Sequence, residues 1–227
     1  MTERTRRSFL RKTASMGLAA SGGLLVLAAE ARPTPPCADG EDPEEVLKKL
    51  GEPTSTALGD RRPTLPRGEG PFYRAGAPFR AKVSPPLEPG TVLVVSGRVW
   101  SFDTKKPLGG AQIDIWQADA GGNYSTAEGD YRNRVRLVAA EDGAFEFETI
   151  HPAGYQANPE IWRSPHIHFI ASAAGHKRLV SEMFFQGDPK QDIDPFFHAA
   201  LAVPVARHER GGVAYESAVF DVILERA

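Results

Sequence analysis

The sequence contains a single cysteine, Cys37, among 227 residues, so no disulfide can form within the chain. It also lacks a charge excess, because 27 basic and 29 acidic residues are intermixed and leave a formal net charge of -2. That balance provides no strong field for nucleic acid or for an anionic membrane. No long segment after residue 70 has a 3.6-residue apolar period, which argues against a helical bundle or a doubly wound sheet. These absences favour a sheet-rich fold and a function in small-molecule chemistry.

Turn-forming residues are abundant, with 22 glycines and 19 prolines. They separate short runs rich in β-branched and aromatic residues. Phe145, Phe147 and Thr149 alternate with Glu146 and Glu148, which is the two-residue period of a strand with one solvated face. We therefore predict an all-β fold, an antiparallel β-sandwich with long loops. The predicted strands cover residues 91–100, 112–118, 134–139, 144–149, 166–172, 179–185 and 219–224.

The amino terminus has the features of a twin-arginine signal peptide, which we assign to residues 1–31. Arg6 and Arg7 precede a mildly apolar stretch that ends in small residues before a cleavage site after Ala31. This stretch is too short and too rich in glycine, alanine and serine to span about 30 Å of hydrocarbon. We expect export to the periplasm or the cell exterior, with no stable membrane anchor after cleavage. Because the pathway carries folded proteins, it suits a chain that takes up a cofactor in the cytoplasm.

Residues 32–69 are proline-rich and polar, and we assign them to an arm or linker with one helical candidate at residues 43–50. The catalytic domain is predicted to span residues 70–227. Such an arm could wrap a neighbouring subunit, so a homo-oligomer is a possible assembly.

Two histidines in one predicted strand, His166 and His168, are candidate metal ligands. Side chains at i and i+2 share one face of a strand, so both imidazoles can point at one site. The alternative is one packed core histidine and one surface histidine. Tyr124 and Tyr155 each follow a strand end and a turn. A phenol with a pKa near 10 ligates well only to a strongly Lewis-acidic ion, so a site with two tyrosine ligands favours Fe(III) over Zn(II). The alternative is that both tyrosines are exposed aromatic residues in turns.

Several motifs occur in one order between residues 70 and 189: GPFY at 70–73, IDIWQAD at 113–119 followed by Tyr124, TIHPAGY at 149–155, WRSPHIHF at 162–169 and FFQGDP at 184–189. Together they resemble the intradiol ring-cleavage dioxygenases, nearest to the protocatechuate type. The resemblance implies one Fe(3+) per active site, held by Tyr124, Tyr155, His166 and His168, with hydroxide or water completing a five-coordinate site. Tyr155 is the implied ligand that the substrate displaces.

Three further residues follow from the resemblance. Arg163 matches an arginine that lies against the bound ring and stabilises carbanionic character on the substrate. Trp116 matches a pocket-lining aromatic, although a tryptophan in this strand could simply be core. Glu182 stands where the family pattern has a glutamine near the substrate. A carboxylate there could accept a proton from a catechol hydroxyl or disfavour anionic substrates, or it could pair with Arg163 or point to solvent.

The implied reaction inserts both atoms of O2 into a catechol-type aromatic, between its two hydroxyl-bearing carbons, to give a cis,cis-muconate type product. The expected partners are a small catechol-type molecule and O2, and no nucleic acid. Two alternatives remain open at the level of the sequence. One is an exported, non-catalytic β-sandwich binding module; the other is a zinc hydrolase that uses His166 and His168 with a carboxylate such as Glu182.

Overall fold

Short strands dominate the computed structural model of the protein, which describes residues 58–188 and 190–227. The strands are β1 (Val92–Ser101), β2 (Gln112–Gln117), β3 (Arg134–Val138), β4 (Ala144–Ile150), β5 (Tyr155–Asn158), β6 (Ile161–Arg163), β7 (His166–Ser172), β8 (Leu179–Phe185), β9 (Ala202–Val203), β10 (Ala206–Arg210), β11 (Val213–Val219) and β12 (Val222–Leu224). Two 3₁₀ helices, Gln191–Ile193 and Ala199–Leu201, lie between β8 and β9. The predicted signal peptide, the arm up to residue 57 and the helical candidate at residues 43–50 lie outside the described residues.

Two five-stranded sheets form the body of the fold. In the first, β1 pairs antiparallel with β4 along one edge, and it pairs parallel with β11 and then β12 along the other, while β10 extends the sheet beyond β11. The second sheet has the order β3-β2-β7-β8-β9. A separate two-stranded ribbon consists of β5 and β6. This ribbon supplies part of the wall of the site described below.

The hydrophobic core lies between the two sheets. Leu93, Val95 and Phe147 from the first sheet belong to the same buried cluster as Ile113 and Phe169 from the second. In β4 the predicted alternation is observed, since Phe145, Phe147 and Thr149 are buried while Glu146 is exposed. Burial of one face of each sheet is what stabilises the pair of layers.

The prediction of an all-β sandwich is confirmed, with three differences in detail. Three of the strand pairings are parallel, namely β1 with β11, β1 with β12 and β8 with β9, so both sheets are mixed. The strand predicted at residues 219–224 is interrupted at Phe220 and Asp221, which separate β11 from β12. β5, β6, β9, β10 and all of β11 except Val219 were not predicted.

The chain from residue 58 to 69 packs along the sandwich. Thr64 donates its backbone N–H to Ile223, and Arg67 donates its own to Val180 at 2.8 Å. Leu65 accepts a hydrogen bond from the Ser181 hydroxyl at 2.6 Å. These contacts fix the backbone that leads into the GPFY motif. Within residues 58–188 and 190–227, no helical segment has the length and hydrophobicity that a bilayer crossing requires.

Candidate metal centre and active site

The site is organised by three neighbouring strands of the second sheet. In the antiparallel register, His168 on β7 lies opposite Trp116 on β2 and Glu182 on β8. Directly paired residues share one face of a sheet, so the three side chains stand in a row. Ile167 and Phe169 point to the opposite face and join the core. The two-residue period of β7 therefore separates packing residues from site residues, as the sequence predicts.

The two histidines converge through their Nε2 atoms, which are 3.1 Å apart. His166 Nδ1 donates to the Ser164 carbonyl at 2.6 Å, which leaves its Nε2 unprotonated in the neutral ring. His168 Nδ1 lies 3.3 Å from Glu182 Oε1 without a hydrogen bond of normal geometry, and the nearby negative charge favours a proton on that nitrogen. Both Nε2 lone pairs then face one point. Two nitrogens at about 2.1 Å from one metal ion are about 3 Å apart at a near-right angle, so the pair has the spacing of metal ligands.

Burial keeps both imidazoles neutral. It lowers the pKa of His166 to about 3, with the positive charge of Arg163 adding to the effect. Burial also lowers the pKa of His168 well below the ordinary 6.5, and His166 and Arg163 act in the same direction. A neutral imidazole is the form that binds a metal. Both residues are therefore in the ligand form throughout the neutral pH range.

Two packed turns bring the tyrosines to the histidines. The backbone N–H of Ala153, in the turn before Tyr155, donates to the Asp119 carbonyl at 3.0 Å. Gly122 has a φ of +80°, and a Cβ there would lie 2.8 Å from the Gly154 oxygen and 3.0 Å from the Tyr155 Cβ. Only glycine permits this approach of the two turns. The approach places the two tyrosine rings 5.7 Å apart, centroid to centroid.

The Tyr124 hydroxyl is buried without a hydrogen-bond partner of normal geometry. Its ring stacks on Phe72 at 4.2 Å and lies 6.4 Å from the His168 ring. Burial, followed by the nearby Tyr155, raises the pKa of Tyr124 well above 10. Burial also raises the pKa of Tyr155, against the opposing charge of Arg163. Both phenols are thus protonated in the protein alone, and a buried hydroxyl without a partner calls for a ligand.

Arg163 is held in a buried cluster with two carboxylates. Its Nη2 donates to Glu182 Oε1 at 2.8 Å, and its Nε lies 3.3 Å from Asp194 Oδ1. Burial lowers the pKa of Arg163, but the charges of Glu182 and Asp194 outweigh it and the net shift is upward. The guanidinium carbon also lies 4.6 Å above the Phe196 ring. Arg163 faces Tyr155 across the β5–β6 ribbon, so the cluster and the tyrosine share one wall.

Asp194 fixes this wall to the backbone. Its Oδ2 accepts from the Ser164 N–H at 2.7 Å, and its Oδ1 accepts from the Phe196 N–H at 2.8 Å. Ser164 is also the residue whose carbonyl orients His166. One buried carboxylate therefore positions both the arginine and the segment that leads into the histidine strand.

A cavity of about 810 Å³ opens beside these groups. It is lined by Arg67, Gly68, Gly70, Pro71, Phe72, Gly121, Gly122, Asn123, Tyr124, Gly154, Tyr155, Gln156, Ala157, Ile161, Trp162, Arg163, Glu182 and Phe196. The histidines do not line it, but the His166 ring lies 5.8 Å from that of Tyr155, which does. The cavity is large enough for a small aromatic molecule, and it has tyrosines, an arginine and a glutamate on its walls.

The structure brings the predicted residues together, with one placed differently. Tyr124, Tyr155, Arg163 and Glu182 line the cavity, and Glu182 also makes the predicted pair with Arg163. Trp116 is not among the lining residues. Its ring stacks on the His168 ring at 4.9 Å and an interplanar angle of 2°, with 1 % exposure, so it supports a candidate ligand from behind.

Sequence reasoning missed three contributors: Asp194, Trp162 and Gln117. Gln117 is buried, donates to the Ile150 carbonyl at 2.9 Å and accepts from the Thr149 hydroxyl at 2.8 Å, which ties together the strand ends that precede the two tyrosine turns. Trp162 lines the cavity. Gln117 and Trp162 belong to the motifs quoted above, which is the signal that could have found them. No pattern in the sequence marks Asp194.

Comparisons with known proteins agree with this geometry. Residues 69–225 match the family model described as Dioxygenase. The chain belongs to the intradiol dioxygenase family. The chlorocatechol 1,2-dioxygenase of Rhodococcus opacus is 33 % identical over 183 residues, 69 % of this chain and 70 % of that protein. The protocatechuate 3,4-dioxygenase beta chain of Burkholderia cepacia is 33 % identical over 132 residues, 53 % of this chain and 54 % of that one.

Among solved structures, a similar one is the dioxygenase domain of a dioxygenase carbohydrate-binding protein fusion from Streptomyces sp. SirexAA-E. It has a TM-score of 0.62 and 32 % identity, and the match covers 73 % of this chain and all of that domain. The match thus includes the whole of that domain. By contrast, the chain matches about half of the length of the protocatechuate 3,4-dioxygenase beta chain.

The donor set fits a ferric ion. Two neutral imidazoles with converging lone pairs and two buried phenols supply nitrogen and hard oxygen ligands, and one phenol lacks any other well-formed partner. Glu182 also lies close, since one ligand atom each of His166, His168 and Glu182 can be chosen within 4.8 Å of one another. However, Glu182 Oε1 approaches Nδ1 of His168, on the side of the ring away from Nε2. Glu182 Oε1 therefore lies away from the point at which the two Nε2 atoms converge.

Proposed function

We propose that the protein is an Fe(III)-dependent intradiol dioxygenase. It would open a catechol-type ring between its two hydroxyl-bearing carbons with both atoms of O2, giving a cis,cis-muconate type diacid. The observation that carries the proposal is the convergence of His166, His168, Tyr124 and Tyr155 beside a cavity of aromatic size. The catechol and chlorocatechol 1,2-dioxygenases among the relatives support the substrate class.

When bound by these four residues, ferric iron would deprotonate the phenols, hold the catechol and act as a Lewis acid that makes the ring reactive towards O2. The protein's own contribution begins with ligand state, because burial keeps both imidazoles neutral and ready to bind. His166 is oriented by the Ser164 carbonyl, and His168 by Glu182 and the stacked Trp116. Because these contacts order the imidazole side chains before a metal binds, less conformational entropy is lost on binding.

Tyr155 is the residue placed to take a substrate proton. Both tyrosines line the cavity, but the Tyr124 hydroxyl is buried, so Tyr155 is the better candidate for this role. Burial raises the pKa of Tyr155, so its phenolate oxygen accepts a proton readily once it is free. This matches the role of the displaced ligand that the resemblance implies.

Arg163 is placed to stabilise negative charge that develops on the ring. It lines the cavity next to Tyr155, its partner in the β5–β6 ribbon, and Glu182 and Asp194 hold its guanidinium. A donor held rigidly in a water-poor site stabilises a developing charge without reorganising. O2 supplies both inserted oxygens and is the only oxidant, so no reducing cofactor is needed.

The test is a visible spectrum of the concentrated, iron-loaded protein, followed by anaerobic catechol and then air. We expect a broad tyrosinate-to-iron band that shifts with catechol and recovers with oxygen. Tyr124→Phe and Tyr155→Phe should each shift the band and sharply lower turnover. An unchanged band and rate in either variant would remove that tyrosine from the site.

A zinc hydrolase is the second candidate, favoured by the cluster of His166, His168 and Glu182. It gives the tyrosines no role, and a zinc protein would be colourless. A colourless protein with tightly bound zinc would therefore replace the proposal. A colourless protein without bound metal would favour the binding module instead. Export through the twin-arginine pathway, and assembly into a homo-oligomer, stay predictions.

A further inference from the structure

The row of site residues on the second sheet continues beyond Trp116 to β3. In the antiparallel register of β2 and β3, Arg134 lies directly opposite Trp116. Residues paired in this way share one face of a sheet, so Arg134 is on the site face, with Trp116 between it and His168. Arg134 is only 2 % exposed. No step of the function proposed above uses this buried cation.

The guanidinium of Arg134 joins two separate backbone segments. Its Nη2 donates to the Phe72 carbonyl at 3.1 Å and to the Ser125 carbonyl at 3.0 Å. Its Nε also donates to the Phe72 carbonyl, at 3.4 Å, and its Nη1 donates to the Arg132 carbonyl at 3.1 Å. Because the guanidinium is planar and rigid, these bonds fix the GPFY segment relative to the turn that follows Tyr124.

Both of these segments support the Tyr124 side chain. The Phe72 ring stacks on the Tyr124 ring, with the centroids 4.2 Å apart and the planes 8° from parallel. Ser125 follows Tyr124 directly in the chain. The Tyr124 hydroxyl has no hydrogen-bond partner of normal geometry, so its position depends on the ring and the backbone. Arg134 therefore acts on two supports of a candidate iron ligand without contacting the ligand oxygen.

Backbone carbonyls, rather than a carboxylate, hold the charge of Arg134. Burial lowers the pKa of Arg134 and the charge of Arg74 adds to the shift, while Tyr124 and Asp130 oppose it. The Asp130 carboxylate accepts from the Ser125 hydroxyl, and Arg134 forms no ion pair within the described part of the chain. An arginine stays protonated at neutral pH, so this guanidinium is a permanent donor to its carbonyls. Its removal would leave these acceptors without their partner.

We propose that Arg134 is a positioning residue of the metal centre, which fixes the Tyr124 ring by joining the Phe72 and Ser125 carbonyls. Arg134 does not line the cavity, so it acts on the site through Tyr124 rather than on a substrate. This inference rests on the proposed function, because Tyr124 has to be an iron ligand. It assigns a role to a residue outside both the cavity and the sequence motifs.

The experiment measures iron affinity of the full-length protein by competition with a chelator, together with the visible band. Arg134→Gln removes the planar donor, so it should weaken iron binding by about 10- to 100-fold and shift the band. Arg134→Lys keeps the charge but not the planar geometry, so it should cause a smaller loss of affinity and a shift in the same direction. If Arg134→Gln does not fold, Arg134→Lys decides the question: wild-type affinity and band in that variant overturn the proposal.

A double-mutant cycle determines whether the effect of Arg134 passes through Tyr124. In a Tyr124→Phe background, Arg134→Gln should cause little further change in the band or in iron affinity. In a Tyr155→Phe background, Arg134→Gln should retain its full effect. Equal effects in the two backgrounds would indicate general damage to the site and would overturn the proposal.

Two control variants separate positioning from charge and from stability. Arg74→Gln removes an arginine that donates to the Ala127 and Asp130 carbonyls in the same loop, and it should leave iron affinity unchanged. Leu137 lies on the same strand but in the hydrophobic core, so Leu137→Ala should destabilise the protein and keep the band. A loss of iron affinity in either control as large as that in Arg134→Gln refutes the role of Arg134.

Failure of this inference is distinguishable from failure of the proposed function. If the iron-loaded wild type shows no tyrosinate band, the proposed function fails and the inference fails with it. If the wild type shows the band, and the Arg134 variants keep both the band and the iron affinity, only the role of Arg134 is refuted.

Discussion

Removing the Asp194 carboxylate should destabilise the protein far more than removing a comparable carboxylate at the surface. Asp194 is 5 % exposed, accepts hydrogen bonds from the N–H groups of Ser164 and Phe196, and pairs with Arg163. Asp194→Ala leaves two backbone donors without their acceptor and half of the buried charge on Arg163 uncompensated. Breaking a buried ion pair by removing one partner costs about 3–5 kcal/mol. We expect the free energy of unfolding of the metal-free protein to fall by that amount.

The matched control is Asp142→Ala. Asp142 also accepts from a backbone N–H, that of Ala144 at 3.0 Å, and also pairs with an arginine, Arg98 at 3.0 Å, but its side chain is 56 % exposed. An exposed pair and one surface hydrogen bond contribute much less than a buried network, so this variant should lose little stability. Urea unfolding followed by tryptophan fluorescence measures both variants. Equal losses of stability in the two variants would refute the view that Asp194 anchors the site by pairing buried groups.

Two further predictions concern the candidate ligands. The pKa of His166 is about 3 in the folded protein and near 6.5 in the unfolded chain, so the free energy of unfolding of the metal-free protein should fall as pH drops from 6.5 towards 3. This residue should contribute up to about 1.4 kcal/mol per pH unit to that loss. Urea unfolding at several pH values should show a shallower pH dependence in His166→Gln, and an unchanged dependence would contradict the burial of His166. Gly122→Ala should push Gly154 and Tyr155 away and sharply reduce the visible iron band. Gly129 also has a positive φ, but a Cβ there would meet no atom within 4 Å, so Gly129→Ala should cost only backbone strain and keep the band. An equal loss of the band in both variants would mean that backbone strain, and not the clash, is responsible.

The strands that were predicted from the sequence are those rich in buried apolar side chains. In β4, apolar side chains alternate with polar ones, so the period that marks the strand also marks its orientation, whereas β7 is buried along nearly its whole length. β10 reads ARHER and is mostly exposed, and β5 reads YQAN and has three exposed residues. Such strands are held mainly by backbone hydrogen bonds to a neighbouring strand, and these bonds leave no periodic pattern of apolar residues in the sequence. Their absence from the prediction has that physical cause.

The candidate ligands were predictable for two different reasons. His166 and His168 are neighbours on one strand face, which is a local property of the sequence. The tyrosines required the resemblance, because the contact of their two turns depends on Gly122 meeting Gly154 across the fold. Asp194 lies 31 residues beyond Arg163 in the chain and reaches it only through the tertiary structure. A contact of this kind has no local signature.

Glu182 shows how the fold selects among chemical roles that one residue type allows. In the sequence, a carboxylate in place of a glutamine could accept a proton, repel an anionic substrate or pair with Arg163. Burial raises the pKa of Glu182 while Arg163 opposes the shift, and the 2.8 Å contact places the two charges together. Arg163 is shared with Asp194, and the charge of Arg67 also lowers the pKa of Glu182, so two arginines and two carboxylates balance one another as a group. Exchange of Glu182 for glutamine removes the carboxylate that lies beside both Arg163 and His168, so it should change the positions of those two side chains.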